Sequence, residues 1–349
     1  MLVSSLKLNN YRNYTSKNIN FNKGLNIIIG KNGVGKTNIL ESLIVLSNTK
    51  SFRTLDDSDL IKKGELYSKI EANCDIGKLK VVISNNGKRL YFNDNALKKT
   101  SEFIGKINCI LFKPNDLNLF TDSPRERRRI LDIEIGKVSK EYLLSLSTYN
   151  LLVKDKNRLL KEDDVDLNYL DIIDEKMISE MKTVIKYREE FINIVNSYIS
   201  NIYDDLSDSN TKISIKYKAC SDIEHLEENM LRSRDKDLLY HYANFGIHHD
   251  DYEFYYDDNL IQTVASQGQS RLTVISFKLA LEKYIRYKTN KCPIILLDDI
   301  LSELDFDNKQ RLLHYIPYDN QTIITGTDLD NIEILNNFNL IEIKEREDG

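Results

Sequence analysis

"IIIGKNGVGKTNIL", residues 27–40, passes from three isoleucines through glycines at 30, 33 and 35 to Lys36 and Thr37. The spacing Gly30-x-x-x-x-Gly35-Lys36-Thr37 is that of a phosphate-binding loop, in which small residues let successive backbone N–H groups converge on an anion. Ile27, Ile28 and Ile29 read as a buried strand, and Asn38 to Leu46 as a helix whose positive N-terminus faces the phosphates. In that reading Gly30, Lys31, Asn32, Gly33, Val34 and Gly35 form the cradle, Lys36 reaches the β- and γ-phosphates, and Thr37 ligates Mg²⁺. The competing reading is a glycine-rich turn that matches by accident. At ordinary residue frequencies a chain this long does so about once in a hundred, and the strand-to-helix context makes the accident rarer still.

The second motif is "IILLDDILSELD", residues 294–305. Four apolar residues predict a buried strand with Asp298 and Asp299 at its C-terminal edge, where open α/β sheets place their ligands. Asp298 fits the Mg²⁺-coordinating acid of a phosphate-loop ATPase, and Asp299 the carboxylate that polarises the attacking water. The third is "SQGQSR", residues 266–271, ahead of a helix expected from Leu272 to about Tyr287. Ser266 would cap it and Gly268 would permit close approach, with Gln269 beside them, making a second anion site from N–H groups and the helix dipole.

Bulk properties limit the partners. The chain of 349 residues is long for one core and carries a net charge of −5, so a nucleic-acid surface must be a local basic patch. Four cysteines, at 74, 109, 220 and 292, lie too far apart for a disulfide framework or a zinc site and suit a reducing cytoplasmic setting. No apolar run approaches membrane-spanning length. Strand signals dominate to about Phe112, including the hairpin "LKVVISNNGKRLYFN" with its Asn86-Gly87 turn. Helical signals dominate from Ser123 to about Leu206, opening on a capping Ser123 and Pro124 at the first helical position. Strands return after Pro293. The expected fold is α/β: residues 1–112 and 291–349 forming a sheet-rich ATPase lobe, and 113–290 a mainly helical lobe carrying the Ser266 segment.

A phosphate loop, a helical insertion, a Ser-x-Gly-Gln segment and "LLDDILSELD" resemble ABC-type ATPase heads in chain order. More closely, "LNNYRNY" (8–14), "GKNGVGKTNILESL" (30–43), "KSFRT" (50–54), "FKPNDLNLFTDSPRERRRILD" (112–132), "YNLLVKDKNRLL" (149–160) and "GIHHDD" (246–251) resemble the RecF family of bacterial recombination and repair proteins. The 228 residues between Thr37 and Ser266 leave no room for the long coiled coil of the Rad50 and SMC families. The resemblance implies an ATP-dependent homodimer on double-stranded DNA at single-strand gaps, with RecR and RecO as partners in loading RecA during DNA replication, repair and the SOS response. It implies a weak DNA-dependent ATPase whose hydrolysis acts as a release switch. Two alternatives remain: a transporter's nucleotide-binding subunit, and a nucleotide-gated scaffold without meaningful hydrolysis.

Departures from the family pattern stand out. No glutamine occurs from Lys36 to Ile261, so the γ-phosphate sensor of many ABC proteins lacks its usual residue; Asn115, Asp116 or Arg53 could replace it. His248-His249 stand in a motif that in relatives reads GPHRDD, and a structural role is expected over metal binding, since adjacent side chains diverge. Arg125, Arg127 and Arg128, with Lys154, Lys156 and Arg158, form the candidate DNA-phosphate surface, against the plainer reading of a solvated helical face.

Overall fold

The computed structural model describes residues 1–207, 209–300, 304, 306–327 and 338–344, without the side chain of Asn115. In chain order its elements begin with β1 (Val3–Tyr11), β2 (Tyr14–Asn20), β3 (Leu25–Ile29), α1 (Lys36–Asn48), β4 (Tyr67–Cys74), β5 (Gly77–Ser84), β6 (Gly87–Phe92), β7 (Asn95–Ala96) and β8 (Cys109–Phe112). There follow α2 (Pro124–Gly136), α3 (Lys140–Leu159), α4 (Leu167–Ser207), β9 (Ile213–Lys218), α5 (Leu226–Tyr240), β10 (Asp251–Tyr256), β11 (Asn259–Leu260) and α6 (Ile261–Val264). The last are α7 (Gln267–Thr289), β12 (Ile294–Asp298), α8 (Phe306–Tyr315), β13 (Thr322–Gly326) and β14 (Asn339–Glu342).

The chain forms two compact units: Met1–Leu117, Asn201–Ser209 and Leu272–Gly349 in one, Asn118–Ser200 and Asn210–Arg271 in the other. These bounds differ from 112 and 290 chiefly because α7 from Leu272 onward belongs to the first unit. Its Phe277, Leu279, Ala280, Leu281 and Ile285 are buried there, an apolar surface too broad for a linker.

The first unit has a six-stranded antiparallel sheet, ordered β2-β1-β4-β5-β6-β7, and a five-stranded parallel sheet, ordered β14-β3-β13-β12-β8. The parallel strands read as continuous apolar runs because both faces are covered, as in "IILL" of β12. One core joins both sheets to α1, whose Ile39, Leu40, Leu43, Val45 and Leu46 are all buried. From Ile39 to Ser47 α1 is buried on every face, its polar Glu41, Ser42 and Ser47 included.

The second unit contains α2, α3, α5 and a three-stranded sheet ordered β11-β10-β9, which the sequence reading as a mainly helical lobe did not foresee. Its core is polar. Arg188 of α4 is fully buried, its guanidinium 2.6 Å from Asp250 Oδ2 and 2.9 Å from Asp132 Oδ1, and it also donates to the Ile247 carbonyl. Asp250 accepts in addition from the Tyr217 hydroxyl and from Cys220 N at 2.7 Å, so both oxygens of its carboxylate are engaged. His248 Nδ1 lies 2.6 Å from the Tyr149 hydroxyl, and burial pushes its pKa down to about 4. "GIHHDD" is thus an internal brace of this unit, and among the described residues no group of three or more His, Cys, Asp or Glu could hold a metal ion.

Removing one partner of a buried charge strands the other. Asp250→Ala should therefore cost about 3–5 kcal/mol in the unfolding of the second unit. Denaturant titration followed by tyrosine fluorescence checks this; a loss below about 1 kcal/mol, the value of an ordinary hydrogen bond, contradicts the brace.

Candidate functional site

The candidate nucleotide site starts at the C-terminal edge of the parallel sheet. β3 pairs with β13 and β13 with β12, and the register aligns Ile28, Thr325 and Asp298 in one row. Thr37, at the start of α1, follows β3 through the phosphate loop; Asp298 ends β12. The row brings them together: Thr37 Oγ1 donates to Asp298 Oδ1 at 3.0 Å, and Thr325 Oγ1 donates to the same oxygen at 3.0 Å.

The loop has the backbone its glycines predict. Gly33 and Gly35 have φ of +84° and +109°, in the left-handed region that side chains disfavour. A Cβ on Gly35 would lie 2.7 Å from the Tyr14 hydroxyl, so the β1–β2 turn also leaves no room for a larger residue. Gly35 caps α1 without a side-chain hydrogen bond, whereas α2 and α3 begin on Ser123 and Ser139, whose hydroxyls accept from Glu126 N and Tyr142 N. The first amides of α1 are thereby left for an anion. Lys36 is buried rather than exposed, and its ammonium donates to the carbonyls of Gly30 at 2.7 Å and Lys31 at 3.1 Å.

Burial raises the pKa of Asp298, offset by the hydrogen bonds from Thr37 and Thr325 and, to a smaller degree, by Arg53; it raises that of Asp299 too, with the Lys36 charge acting against it. Asp299 adopts φ +50°, a strained conformation for a residue with a side chain. Its backbone N–H is held by Thr325 Oγ1 at 3.1 Å. Of "IILLDDILSELD", residues 301–303 and 305 lie outside the described residues.

Several supporting residues escaped a reading based on the phosphate-loop spacing. Glu41 of α1 is fully buried and receives two bonds from Arg12, at 2.6 and 2.8 Å, and one from Ser51 at 2.6 Å. Arg53 Nη1 donates to Asn38 Oδ1 at 2.7 Å, Asn38 Nδ2 to Asn13 Oδ1 at 2.8 Å, and Asn13 Nδ2 to the Val34 carbonyl at 3.1 Å. This relay joins "KSFRT" and "LNNYRNY" to the loop. Their presence in those two segments was the available signal. A cleft of about 810 Å³ adjoins the loop, lined by Asn13, Tyr14 and Lys17, by Asn32 to Val34, and by Glu342 to Lys344. Of the other sensor candidates, Asp116 pairs with Lys278 at 3.6 Å, and the Asn115 side chain is outside the described residues.

In the second unit Ser266 and Gln269 form a reciprocal capping box: Ser266 Oγ accepts from Gln269 N at 3.2 Å, and Gln269 Oε1 from Ser266 N at 2.8 Å. The cap is as expected, but the helix begins at Gln267, five residues before the expected Leu272, because the box closes its first turn. Ser266 and Gly268 are exposed.

The basic residues divide. Arg127 is buried in a two-pronged pair with Asp251, at 2.9 and 2.6 Å. Arg128 donates to the Asp250 carbonyl, and Lys156 is fully buried, 2.7 Å from both Asp174 and Asp237. The assignment of Arg127 and Lys156 to a DNA surface is corrected, because their charge is neutralised inside the unit, whereas Arg128 is half-buried and held by a backbone carbonyl. Arg125, Lys154 and Arg158 are exposed.

Residues 2–108 match the model of the RecF/RecN/SMC N-terminal domain. The DNA replication and repair protein RecF of Bacillus velezensis is 36% identical, with 95% of each chain covered; that of Agathobacter rectalis is 37% identical, over 95% of this chain and 93% of the relative. The chain belongs to the RecF family. A solved structure of the recombination mediator protein RecF with ATP, in the RecFOR pathway, superposes with a TM-score of 0.90 at 28% identity, covering 99% of this chain and 98% of the other. The Smc head of Pyrococcus furiosus, at 19% identity and a TM-score of 0.52, covers 93% of this chain and 89% of its own, and shares the fold. RecF-family membership and the ABC-type α/β head expected from the motifs therefore stand.

Thr37 and Asp298 offer two hard oxygens at the phosphate loop, a set that suits Mg²⁺ completed by phosphate and water. The burial that raises the Asp298 pKa disfavours its charged form in the absence of a cation. A raised carboxyl pKa is a cost of folding above that pKa, relieved by protonation as pH falls. Asp298→Asn should thus raise the melting temperature of the nucleotide-free protein at pH 8, with the gain shrinking toward pH 4, and should abolish Mg²⁺-dependent nucleotide binding. Calorimetric scans at both pH values with and without Mg²⁺ test this; a lower melting temperature at pH 8 counts against it.

Proposed function

We propose that this chain is an ATP-dependent DNA-binding protein of recombinational repair and replication, in which ATP joins two copies on DNA and slow hydrolysis releases them. The observation that carries the reading is the Thr37–Asp298 contact of 3.0 Å beside a helix start that no side chain caps. Relatives named DNA replication and repair proteins support its biological setting. Bound Mg²⁺, held by Thr37 and Asp298, would neutralise phosphate charge.

The rest falls to the chain's own groups. Lys36 exchanges its bonds to Gly30 and Lys31 for the β- and γ-phosphates, so the loop is relieved of an internal cation when the anion arrives. Asp299 orients the water that attacks the γ-phosphorus and takes its proton as the bond to ADP breaks; burial favours that acceptance. Arg53, whose charge already acts on Asp298, substitutes for the missing glutamine as γ-phosphate sensor. The cleft of about 810 Å³ accommodates the nucleoside. Ser266, Gly268 and Gln269 complete the site of a second copy, as in ABC-type heads, which suits the exposure of Ser266 and Gly268. DNA at gap junctions, RecR and RecO are the proposed partners, in the cytoplasm; no helix among the described residues is long and apolar enough to cross a membrane.

Mixing experiments test the two-chain site. Lys36→Met should lose ATP binding, and Ser266→Arg should bind ATP as a monomer yet fail to dimerise. Together they should recover one composite site and form a heterodimer in sedimentation. Asp299→Asn should keep ATP-driven dimerisation while slowing turnover about a hundredfold or more. If Ser266→Arg dimerises normally with ATP, the shared site is wrong.

DNA binding is tested apart from nucleotide. Reversal to Glu at Arg125, Lys154 and Arg158 should weaken duplex binding and flatten its salt dependence by close to one unit of slope for each phosphate no longer neutralised. An unchanged slope in anisotropy titrations removes this surface from the DNA site.

A further inference from the structure

Beyond the nucleotide reading and independent of it, we infer that the groove between α4 and α5 is a docking site for a cationic amphipathic helix of a protein partner. The groove has a volume of about 540 Å³ and lies within the second unit. One stripe on each helix lines it: Asp171, Glu175, Ile178 and Lys182 on α4, facing Glu227, Met230, Leu231 and Arg234 on α5. Arg234 Nη1 meets Asp171 Oδ1 at 2.6 Å, and Lys182 Nζ meets Glu227 Oε1 at 3.0 Å, so the helices run antiparallel and are braced at both ends of the stripe. Between the braces Ile178 and Met230 make an apolar floor beside the buried, ion-paired Asp174, while Leu231 stands 61% exposed at the wall. A soluble surface that leaves such a side chain beside an apolar floor offers an anchor for another apolar face.

Charge says what kind of face. Four lining carboxylates stand against two cations, and both cations are already consumed by the braces or by Asp174. Glu175, in the middle of the stripe, is exposed and has no ion pair among the described residues. Acid continues past each end. His241, just after α5, bonds the Leu160 carbonyl at 2.7 Å, which sets that end beside the exposed run Glu162, Asp163, Asp164 and Asp166; Asp222, Glu224 and Glu228 are exposed at the other. Nucleic acid is repelled from such a surface, whereas a helix with leucine-type residues on one face and lysine or arginine along both flanks meets floor and rim together. From Asp171 to Lys182 the stripe rises about 16 Å, three helical turns, so the occupant is a short helix.

The probe is a synthetic helix of about 18 residues, enough for three turns with frayed ends, with leucine on one face, lysine on the other and a photo-cross-linker. A counterpart carries glutamate for lysine. With the full chain and no nucleotide, the lysine peptide should bind in fluorescence anisotropy and cross-link to α4 and α5, and the glutamate peptide should not bind. Glu175→Lys and Leu231→Asp, both at exposed positions, should each weaken binding by about tenfold, equivalent to about 1.4 kcal/mol, with ATP binding unchanged. Equal binding by wild type and variants overturns the inference, as do cross-links confined to other elements. Nucleotide-independent self-association abolished by Leu231→Asp would assign the groove to a second copy instead and equally overturn it.

Discussion

The nucleotide site depends on the burial of α1, from Ile39 to Ser47, between two sheets. A helix that carries the phosphate loop at its N-terminus must hold those amides still, and packing on all sides does this without a side-chain cap. The acid this burial encloses is Glu41, and an uncompensated buried carboxylate would be costly. Arg12 and Ser51 satisfy it, so the chain segments before and after α1 are bound to the helix that sets the loop. The Arg53–Asn38–Asn13–Val34 relay extends the same constraint to the loop itself.

The parallel sheet supplies the acidic half. Because β13 lies between β3 and β12, Thr325 stands between the loop and the two aspartates and serves both, donating to the Asp298 carboxylate and accepting from the Asp299 amide. Both acids are partly withdrawn from water, and Asp299 sits in a left-handed backbone well. These costs gather where ligand chemistry is expected and are absent from the neighbouring strands, the pattern of a site that trades stability for reactivity.

The second unit shows the opposite use of charge. Arg188, Asp132 and Asp250 replace part of an apolar core with a buried ion-pair network, and Lys156 with Asp174 and Asp237 forms another near α5. A linear reading of arginine- and lysine-rich helices could not separate Arg127 and Lys156 from Arg125 and Lys154, since the residue types are the same. Their partners, Asp251 and Asp237, lie on distant parts of the chain. The sheet of β9–β11 was missed for a related reason: β9 and β10 are separated in sequence by α5, and β11, joined to β10 by a two-residue turn, is only two residues long.

Local chemistry was legible in the sequence. The phosphate loop, the β5–β6 hairpin (whose turn falls on Asn85 and Asn86, one residue before the expected Asn86-Gly87, with Gly87 opening β6), the Ser123-Pro124 helix start, the Ser266 cap and the acid pair after "IILL" each depend on residues a few positions apart, and backbone sterics or hydrogen bonding over that range has few solutions. Membership of the RecF family also followed from motifs in order. What required tertiary structure was pairing across long separations that no motif announced: the bonds of Thr325 to Asp298 and Asp299, the burial of Lys36 and Glu41, the placement of α7 in the first unit, and the division of basic side chains into buried and exposed. Burial is a property of packed surfaces, and a buried charge is recognised only when its distant partner is in place.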